Sequence, residues 1–239
     1  MINAIIPARA GSKRITSKNT VLLGRHPLLA YSIIACKLTS NINRVIVSTE
    51  CKNIANIALK YGAEVPFLRP EKYATDQATD YGFLKQAFDY LKCEYLALIR
   101  PTSPFRNPSV LDETIVNFSK NIVKDKTLTG LRTMCESNHS PYKMFKVDDN
   151  ICSGFFENYN GIKNYTSLPN QIFPKSYLPN GYIDIVYRKT IESNKIFGDK
   201  IYSQISSPII DIDEQFDLDI ASALVGTKYD LLSVHLNKL

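Results

Sequence analysis

Cysteine and histidine are few and scattered in this 239-residue chain. Its five cysteines (Cys36, Cys51, Cys93, Cys135, Cys152) are odd in number and never form a C-x-x-C pair. That argues against a disulfide framework or a zinc site and for buried free thiols. The three histidines (His26, His139, His235) do not cluster either. No apolar run approaches the roughly 18 residues of a membrane span. The apolar segment from Ile2 to Pro7 is too short for a secretory leader and has no basic stretch before it. A cytoplasmic protein with no membrane partner is expected.

The most informative absence is of acid. The first 49 residues hold seven of the chain's 29 Lys and Arg and none of its 23 Asp and Glu, so the net charge of +6 comes from this stretch. An excess confined to one region lacks the repeated basic faces that cover a nucleic-acid backbone, and a small anion suits it better. With 44% hydrophobic and 22% charged residues, the remaining composition is that of an ordinary folded enzyme.

Inside the acid-free stretch a short apolar strand leads into Ile6-Pro7-Ala8-Arg9-Ala10-Gly11-Ser12-Lys13-Arg14, closing on Lys18-Asn19. Backbone N–H groups of such a loop point at an oxyanion, and Arg and Lys neutralise it, which is how a polyphosphate is held. The spacing is neither G-x-G-x-x-G nor G-x-x-x-x-G-K-[ST]. Against an ordinary turn with solvated cations stands the lack of any neighbouring acid to pair the four basic side chains between positions 9 and 18.

Hydrophobic patterning predicts strands at Asn3–Ile6, Arg44–Ser48, Glu64–Leu68, Tyr95–Ile99 and Thr127–Thr133. Helices are expected at Pro27–Leu38, Lys52–Tyr61, Tyr81–Lys92 and Pro108–Phe118. This alternation predicts an α/β fold, a doubly wound and mostly parallel sheet with helices on both faces. From Glu136 to Pro179 the rhythm breaks into Asn, Ser, Pro, Gly and Tyr, with short strands at best, such as Tyr142–Val147. It resumes with strands at Tyr182–Tyr187, Ile201–Ile205 and Ile209–Ile212 and a helix near Phe216–Tyr229. One domain over 1–239 with an inserted arm at about 136–181 is expected.

Further segments follow in order: Leu22-x-Gly24-x-x-Pro27-Leu28, Val45-Ile46-Val47-Ser48-Thr49, Arg69-Pro70 with Ala74-x-Asp76, and Pro101-Thr102-Ser103-Pro104-x-Arg106. Gln171-x-x-Pro174-x-x-Tyr177-x-x-Asn180-Gly181 and Ile210-Asp211-Ile212-Asp213 complete the series. Together with the basic loop they resemble the acylneuraminate cytidylyltransferase (CMP-sialic acid synthetase) family across nearly the entire chain. The resemblance implies a Rossmann-like nucleotidyltransferase fold and Mg²⁺ as cofactor. It also implies a reaction: a nine-carbon 2-keto sugar acid attacks the α-phosphate of CTP, giving a CMP-sugar for surface glycan synthesis and pyrophosphate. Ala8, Arg9, Ser12, Lys13, Lys18, Asn19 and Asp76 would then seat the nucleotide, with Arg9, Lys13, Lys18 and Asp211 catalytic. Charge growing on the leaving pyrophosphate calls for cations in these places. Arg9 suits a bidentate clamp, and the lysines suit mobile point charges.

Asp211 and Asp213 are the candidate metal ligands. For both carboxylates to meet one cation, a strand end or bend is expected, and Glu214 and Asp217 support a strand end entering a helix. From spacing alone, metal binding and helix capping by Asp213 stand level; the resemblance favours metal. The loop after the most apolar strand is either a substrate contact or a turn that starts the next helix at Pro108. The resemblance places sugar contacts there, at Thr102, Ser103 and Arg106. Arg100 stands where the family reads Gln.

In the arm, Lys143 and Lys146 either meet the sugar carboxylate or form a solvated face. Gln171, Tyr177 and Asn180 match the family's sugar-side pattern, but Asn170-Gln171-Ile172 replaces its Arg-Gln-Asp. A cation lost at 170 and gained at 100 makes a legionaminate- or pseudaminate-type acid the expected substrate, rather than plain N-acetylneuraminate. Phe155, Phe156, Tyr159 and Tyr165 either form the core of the homodimer interface that the resemblance implies or pack within their own domain. Three rivals stay open. They are a cytidylyltransferase for an eight-carbon (KDO-type) sugar acid, a metal-dependent glycosyltransferase using Asp211 and Asp213, and a non-catalytic nucleotide-binding protein.

Overall fold

In the computed structural model, which describes residues 1–239, the chain runs β1 (Ile2–Pro7), β2 (Leu22–Leu23), β3 (His26–Pro27), α1 (Leu28–Lys37), β4 (Ile42–Ser48) and α2 (Lys52–Lys60). It continues α3 (Tyr81–Leu91), β5 (Tyr95–Leu98), α4 (Pro108–Lys124), β6 (Gly130–Ser137), β7 (Phe145–Asp148) and β8 (Ile151–Gly154). Last come β9 (Ser176–Tyr187), α5 (Arg188–Glu192), β10 (Ile201–Ile205), α6 (Gln215–Leu224) and α7 (Ser233–Leu236).

Six strands form one sheet in the order β10-β6-β9-β5-β1-β4. β1 pairs in parallel with β4 and β5, and β6 with β10, while β9 runs antiparallel to both its neighbours. β1 therefore lies in the parallel half with a partner on each side. Its residues Ala4, Ile5 and Ile6 are fully buried, the signature of a strand covered on both faces. Successive side chains part to opposite faces. Ile6 joins the larger core under α1 and α4, whereas Ile5 joins the smaller core under α3. α1 is buried along nine of its ten residues. α3 instead buries one stripe, Phe83, Leu84, Ala87 and Phe88, in which the Phe and Leu side chains are each worth about 1.5–3 kcal/mol when fully covered.

Asp80 stands at the N-cap of α3 but makes no capping bond; its carboxylate turns to Arg100 instead. α4 starts as its residues dictate, with the Asn107 side chain accepting from the Ser109 N–H and Pro108 in the first turn. It runs to Lys124, beyond the expected Phe118. Two expected strands are absent. Glu64–Leu68 makes a single bridge from Glu64 to Ile46, because Pro66 has no N–H to continue a ladder. Ile209–Ile212 follows Pro208 and joins no strand ladder; the Ile212 N–H donates to the Thr102 carbonyl and its carbonyl accepts from Lys18. The last long helix stops at Leu224 rather than Tyr229, and Gly226 follows in the left-handed region.

The segment expected to be irregular carries more structure than its composition suggests. β6 and β9 extend past the sheet as a ribbon, Met134–Ser137 against Pro179–Ser176. β7 and β8 form a hairpin turned by Asp149 and Asn150, both at positive φ. Between them Tyr142 stacks on Phe173 at 5.1 Å, with Phe156, Tyr159 and Tyr165 around it. Of the four arm aromatics, Tyr159 and Tyr165 thus pack inside the arm, Phe156 packs on Tyr142 with its outer side exposed, and Phe155 stays exposed. The thiols are also not uniformly buried: Cys36 is, whereas Cys152 is exposed. No helix is long and apolar enough to cross a membrane.

Candidate active site

Parallel strands deliver their following loops to one edge of the sheet, and the loops after β1 and β5 meet there, with the segment leading into α3 and the one leading into α6, around a cleft of about 660 Å³. Six basic side chains (Arg9, Lys13, Arg14, Lys18, Arg69, Arg100) and four aspartates (Asp76, Asp80, Asp211, Asp213) line it. The loop after β1 is fixed by its backbone. The Ala8 N–H donates to the Ser48 carbonyl, the Ala10 N–H to Glu50 Oε1 at 2.7 Å, and Asn19 Nδ2 to the Arg9 carbonyl at 2.8 Å. Ala8 is buried and serves through this backbone, while Ser12 and Asn19 line the cleft.

The four loop cations are not free of acid, as the local sequence suggested. Arg9 Nη1 and Lys13 Nζ share Asp76, at 3.0 and 2.5 Å. Lys18 Nζ and Arg14 Nη1 share Asp213, at 2.9 and 3.3 Å. The counter-ions arrive from distant segments that no local reading of the loop includes. Lys13, with Arg9 behind it, lowers the Asp76 carboxyl below its ordinary range. Lys18, with Arg14, does the same to Asp213. Lys18 is also buried and donates to the Ile212 carbonyl at 2.8 Å, which fixes its ammonium between loop and carboxylate.

Asp211 and Asp213 both line the cleft while Ile212 between them is buried in the core. No bend is needed: residues two apart on an extended segment share a face. The competing role for Asp213 as helix cap is not adopted. Glu214 caps α6, and Asp217 Oδ2 accepts from the Asp213 and Glu214 N–H groups at 2.9 and 2.8 Å. Asp211 is exposed, with one long bond from the Ser103 hydroxyl at 3.4 Å. Hard oxygen donors such as these carboxylates are of the kind that suits Mg²⁺. Asp211 is the better placed of the two, since both oxygens of Asp213 already answer cations.

From the loop after β5, Arg100 Nη2 meets Asp80 Oδ2 at 2.6 Å, and Thr102 also lines the cleft. Arg106 corrects an expectation. It is fully buried, and its guanidinium donates to the carbonyls of Tyr182, Ser103, Arg100 and Gly181 and to the Ser32 hydroxyl. With its donors used inward, it braces the loop after β5 and does not face the cleft; burial pushes its pKa down to about 10. Ser103 is likewise buried. The arm residues do not reach the cleft of their own chain. Lys143 donates to the Thr166 carbonyl at 2.6 Å and lies over the Phe173 ring. Gln171 and Tyr177 are exposed. Asn180 ties β9 to the segment after β10 through Ser206 Oγ at 2.7 Å.

Sequence reasoning passed over three cleft residues. Arg14 was counted as charge alone. Arg69, which the sequence offers as part of a family segment with no role of its own, is buried, donates twice to Ser48, stacks over Phe83 at 4.7 Å and lines the cleft. Burial lowers its pKa to about 10, so it stays cationic at neutral pH. Asp80 repeats the Asp76 context, since Ala-Thr-Asp occurs at 74–76 and again at 78–80; that duplication is a signal the sequence offers.

Comparison with known proteins adds a second line. Residues 3–165 match the cytidylyltransferase family. CMP-N,N'-diacetyllegionaminic acid synthase of Legionella pneumophila is 34% identical over 229 residues, covering 91% of this chain and 90% of that protein. N-acylneuraminate cytidylyltransferase of Escherichia coli is 34% identical over 231 residues, 95% of this chain but 52% of that longer protein. Pseudaminic acid cytidylyltransferase of Campylobacter jejuni is 27% identical over 234 residues, 95% and 97% of the two chains. Among solved structures, a CMP:2-keto-3-deoxy-manno-octonic acid synthetase complexed with CTP matches with a TM-score of 0.69 over 93% of this chain and 97% of that one. At 13% identity, that likeness is one of fold.

Proposed function

The chain belongs to the cytidylyltransferase family, and from that premise we propose that it couples CTP to a nine-carbon 2-keto sugar acid of sialic, legionaminic or pseudaminic type. The observation that carries this reading is the convergence of Arg9, Lys13, Arg14 and Lys18 on one cleft that Asp211, Thr102 and Arg100 also line. The relatives named for such sugar acids are similar over more than nine-tenths of this chain.

In the proposed reaction the anomeric hydroxyl oxygen of the sugar forms a bond to the α-phosphorus. The bond from that phosphorus to the α,β-bridging oxygen breaks, pyrophosphate departs, and the hydroxyl proton passes to solvent. Arg9, Lys13 and Lys18 hold the β- and γ-phosphates and stabilise the charge that grows on them. Asn19 and Glu50 keep the loop that carries those cations in shape. Asp211, with Asp213, would hold Mg²⁺, whose charge would add to that of the loop. On the sugar side Arg100, aimed by Asp80, is the cation offered to the substrate carboxylate. Its place favours a legionaminate- or pseudaminate-type acid.

We also place the working enzyme in the cytoplasm as a homodimer. The arm exposes Phe145, Val147, Ile151 and Phe155, an apolar surface suited to a second copy of the chain. Sedimentation as a stable monomer at micromolar concentration would refute that assembly. The reaction is tested by pyrophosphate release with Mg²⁺ and CTP against N-acetylneuraminate, legionaminate-type, pseudaminate-type and eight-carbon acids, with UTP and ATP as controls. Release that requires CTP and one nine-carbon acid is expected. Release with the eight-carbon acid alone, or CTP binding without release on any acid, would overturn it.

A further inference from the structure

Asp76 stands in an unusual position for an acid in a phosphate site. Its Oδ1 lies 3.0 Å from Arg9 Nη1 and its Oδ2 lies 2.5 Å from Lys13 Nζ. A carboxylate bridging a guanidinium and an ammonium gives them the two charged oxygens that a phosphate would otherwise supply. The second acid of the loop is anchored differently. Asp213 follows the buried Ile212, and its N–H is held by Asp217 at 2.9 Å. Asp76 lies in an exposed run, Thr75 to Gln77, crossed by one backbone bond from the Ala78 N–H to the Thr75 carbonyl at 3.2 Å. Few contacts fix it, so its carboxylate can leave the cations without disturbing the core.

We propose that Asp76 is a built-in counter-ion that competes with pyrophosphate for Arg9 and Lys13. It limits how tightly the leaving group is held and takes both cations back as pyrophosphate departs. The proposal rests on the reading of this loop as the triphosphate site. A loop of four cations that stabilises the developing pyrophosphate would also bind the finished product, and slow product release would then limit turnover. A carboxylate already in place lowers the affinity for any ligand that must displace it. CMP, whose single phosphate belongs at the α position, does not reach Arg9 and Lys13 and is not affected. The duplicated Ala-Thr-Asp gives Arg100 its own counter-ion, Asp80, so one short segment supplies an acid both to the loop cations and to Arg100.

Calorimetric titration of inorganic pyrophosphate, CTP and CMP, with Mg²⁺ present, tests this on the full-length protein. The neutral variants Asp76→Asn and Asp76→Ser are compared with Asp76→Glu, which keeps the charge. Both neutral variants are expected to bind pyrophosphate and CTP about two- to thirty-fold more tightly, the range for losing two competing exposed ion pairs. CMP binding stays unchanged and Asp76→Glu resembles the wild type. Turnover in the neutral variants should show a burst of bond cleavage followed by slow pyrophosphate release. Weaker or unchanged pyrophosphate binding in both neutral variants overturns the proposal, because Asp76 would then be aiming the two cations rather than competing for them. A wild-type protein that binds neither CTP nor pyrophosphate would instead remove the triphosphate-site reading and this proposal with it.

Discussion

Replacing Arg106 by lysine separates a brace from a substrate contact. Arg106 is fully buried and supplies hydrogen bonds to five acceptors: the carbonyls of Tyr182, Ser103, Arg100 and Gly181 and the hydroxyl of Ser32. Those acceptors lie on α1, on the loop after β5 and on β9. Lysine has three donors at a single point and lacks the planar fork, so on this count two acceptors lose their partner. An unsatisfied buried acceptor costs about 1–3 kcal/mol, which puts the loss near 4 kcal/mol for the pair. For a chain of this size each kcal/mol moves Tm by about 2–4 °C, so a fall of roughly 12 °C is expected. Differential scanning calorimetry measures it, and steady-state kinetics well below the transition supplies the second readout. The KM for the sugar acid should change less than threefold, because the guanidinium does not face the cleft. A Tm within 2 °C of wild type, together with a sugar KM raised tenfold or more, would refute the reasoning and restore Arg106 to the sugar site.

Asp211→Asn should lower kcat by two or more orders of magnitude and flatten the Mg²⁺ titration; an unchanged titration would count against Asp211 as the metal's main ligand. Arg100→Gln should change the ranking of nine-carbon acids by kcat/KM while leaving CTP binding within threefold, read from the same substrate panel. Asp213 has a folded pKa lowered by Lys18 and Arg14. Its contribution to stability is therefore present above the unfolded carboxyl value of about 4 and lost as pH falls through the folded one. Accordingly the Tm of Asp213→Asn should fall less steeply than that of wild type as pH drops below about 4; an equal slope would show that the pair contributes nothing. Cys36 is buried and its thiol is pushed up to about 12 by that burial, whereas Cys152 is exposed. A thiol reagent on the native protein should modify Cys152 and spare Cys36, as peptide mass mapping would show.

What could be read from the sequence was what is local. The basic loop follows its strand directly, and its four cations lie within ten residues of one another, so charge and apolar pattern together mark it. The acids that answer those cations lie far along the chain, at 76 and 213, and only the folding of the sheet brings them across. A local tally of charge therefore overstated how free the cations are. Arg106 escaped for a related reason: a loop arginine reads the same whether it faces ligand or core, and its acceptors are backbone carbonyls, which the sequence does not display. The direction of β9 was equally hidden. A strand buried on both faces, such as Tyr182–Tyr187, shows the same apolar run whichever way it runs. The hairpin of Phe145–Asp148 and Ile151–Gly154 lies inside the segment expected to be irregular, although its turn, Asp149-Asn150, pairs two residues that tolerate positive φ and so offers a local signal. The unread part of the site is thus the part made of long-range pairs, and those pairs decide its chemistry. Each cation expected to hold phosphate already meets an aspartate, Arg9 and Lys13 the exposed Asp76 and Lys18 the anchored Asp213, so on the proposed reading polyphosphate binds by displacing Asp76 rather than by filling an empty positive pocket. Neutralising Asp76 should then change that affinity in the sense opposite to neutralising Arg9 or Lys13.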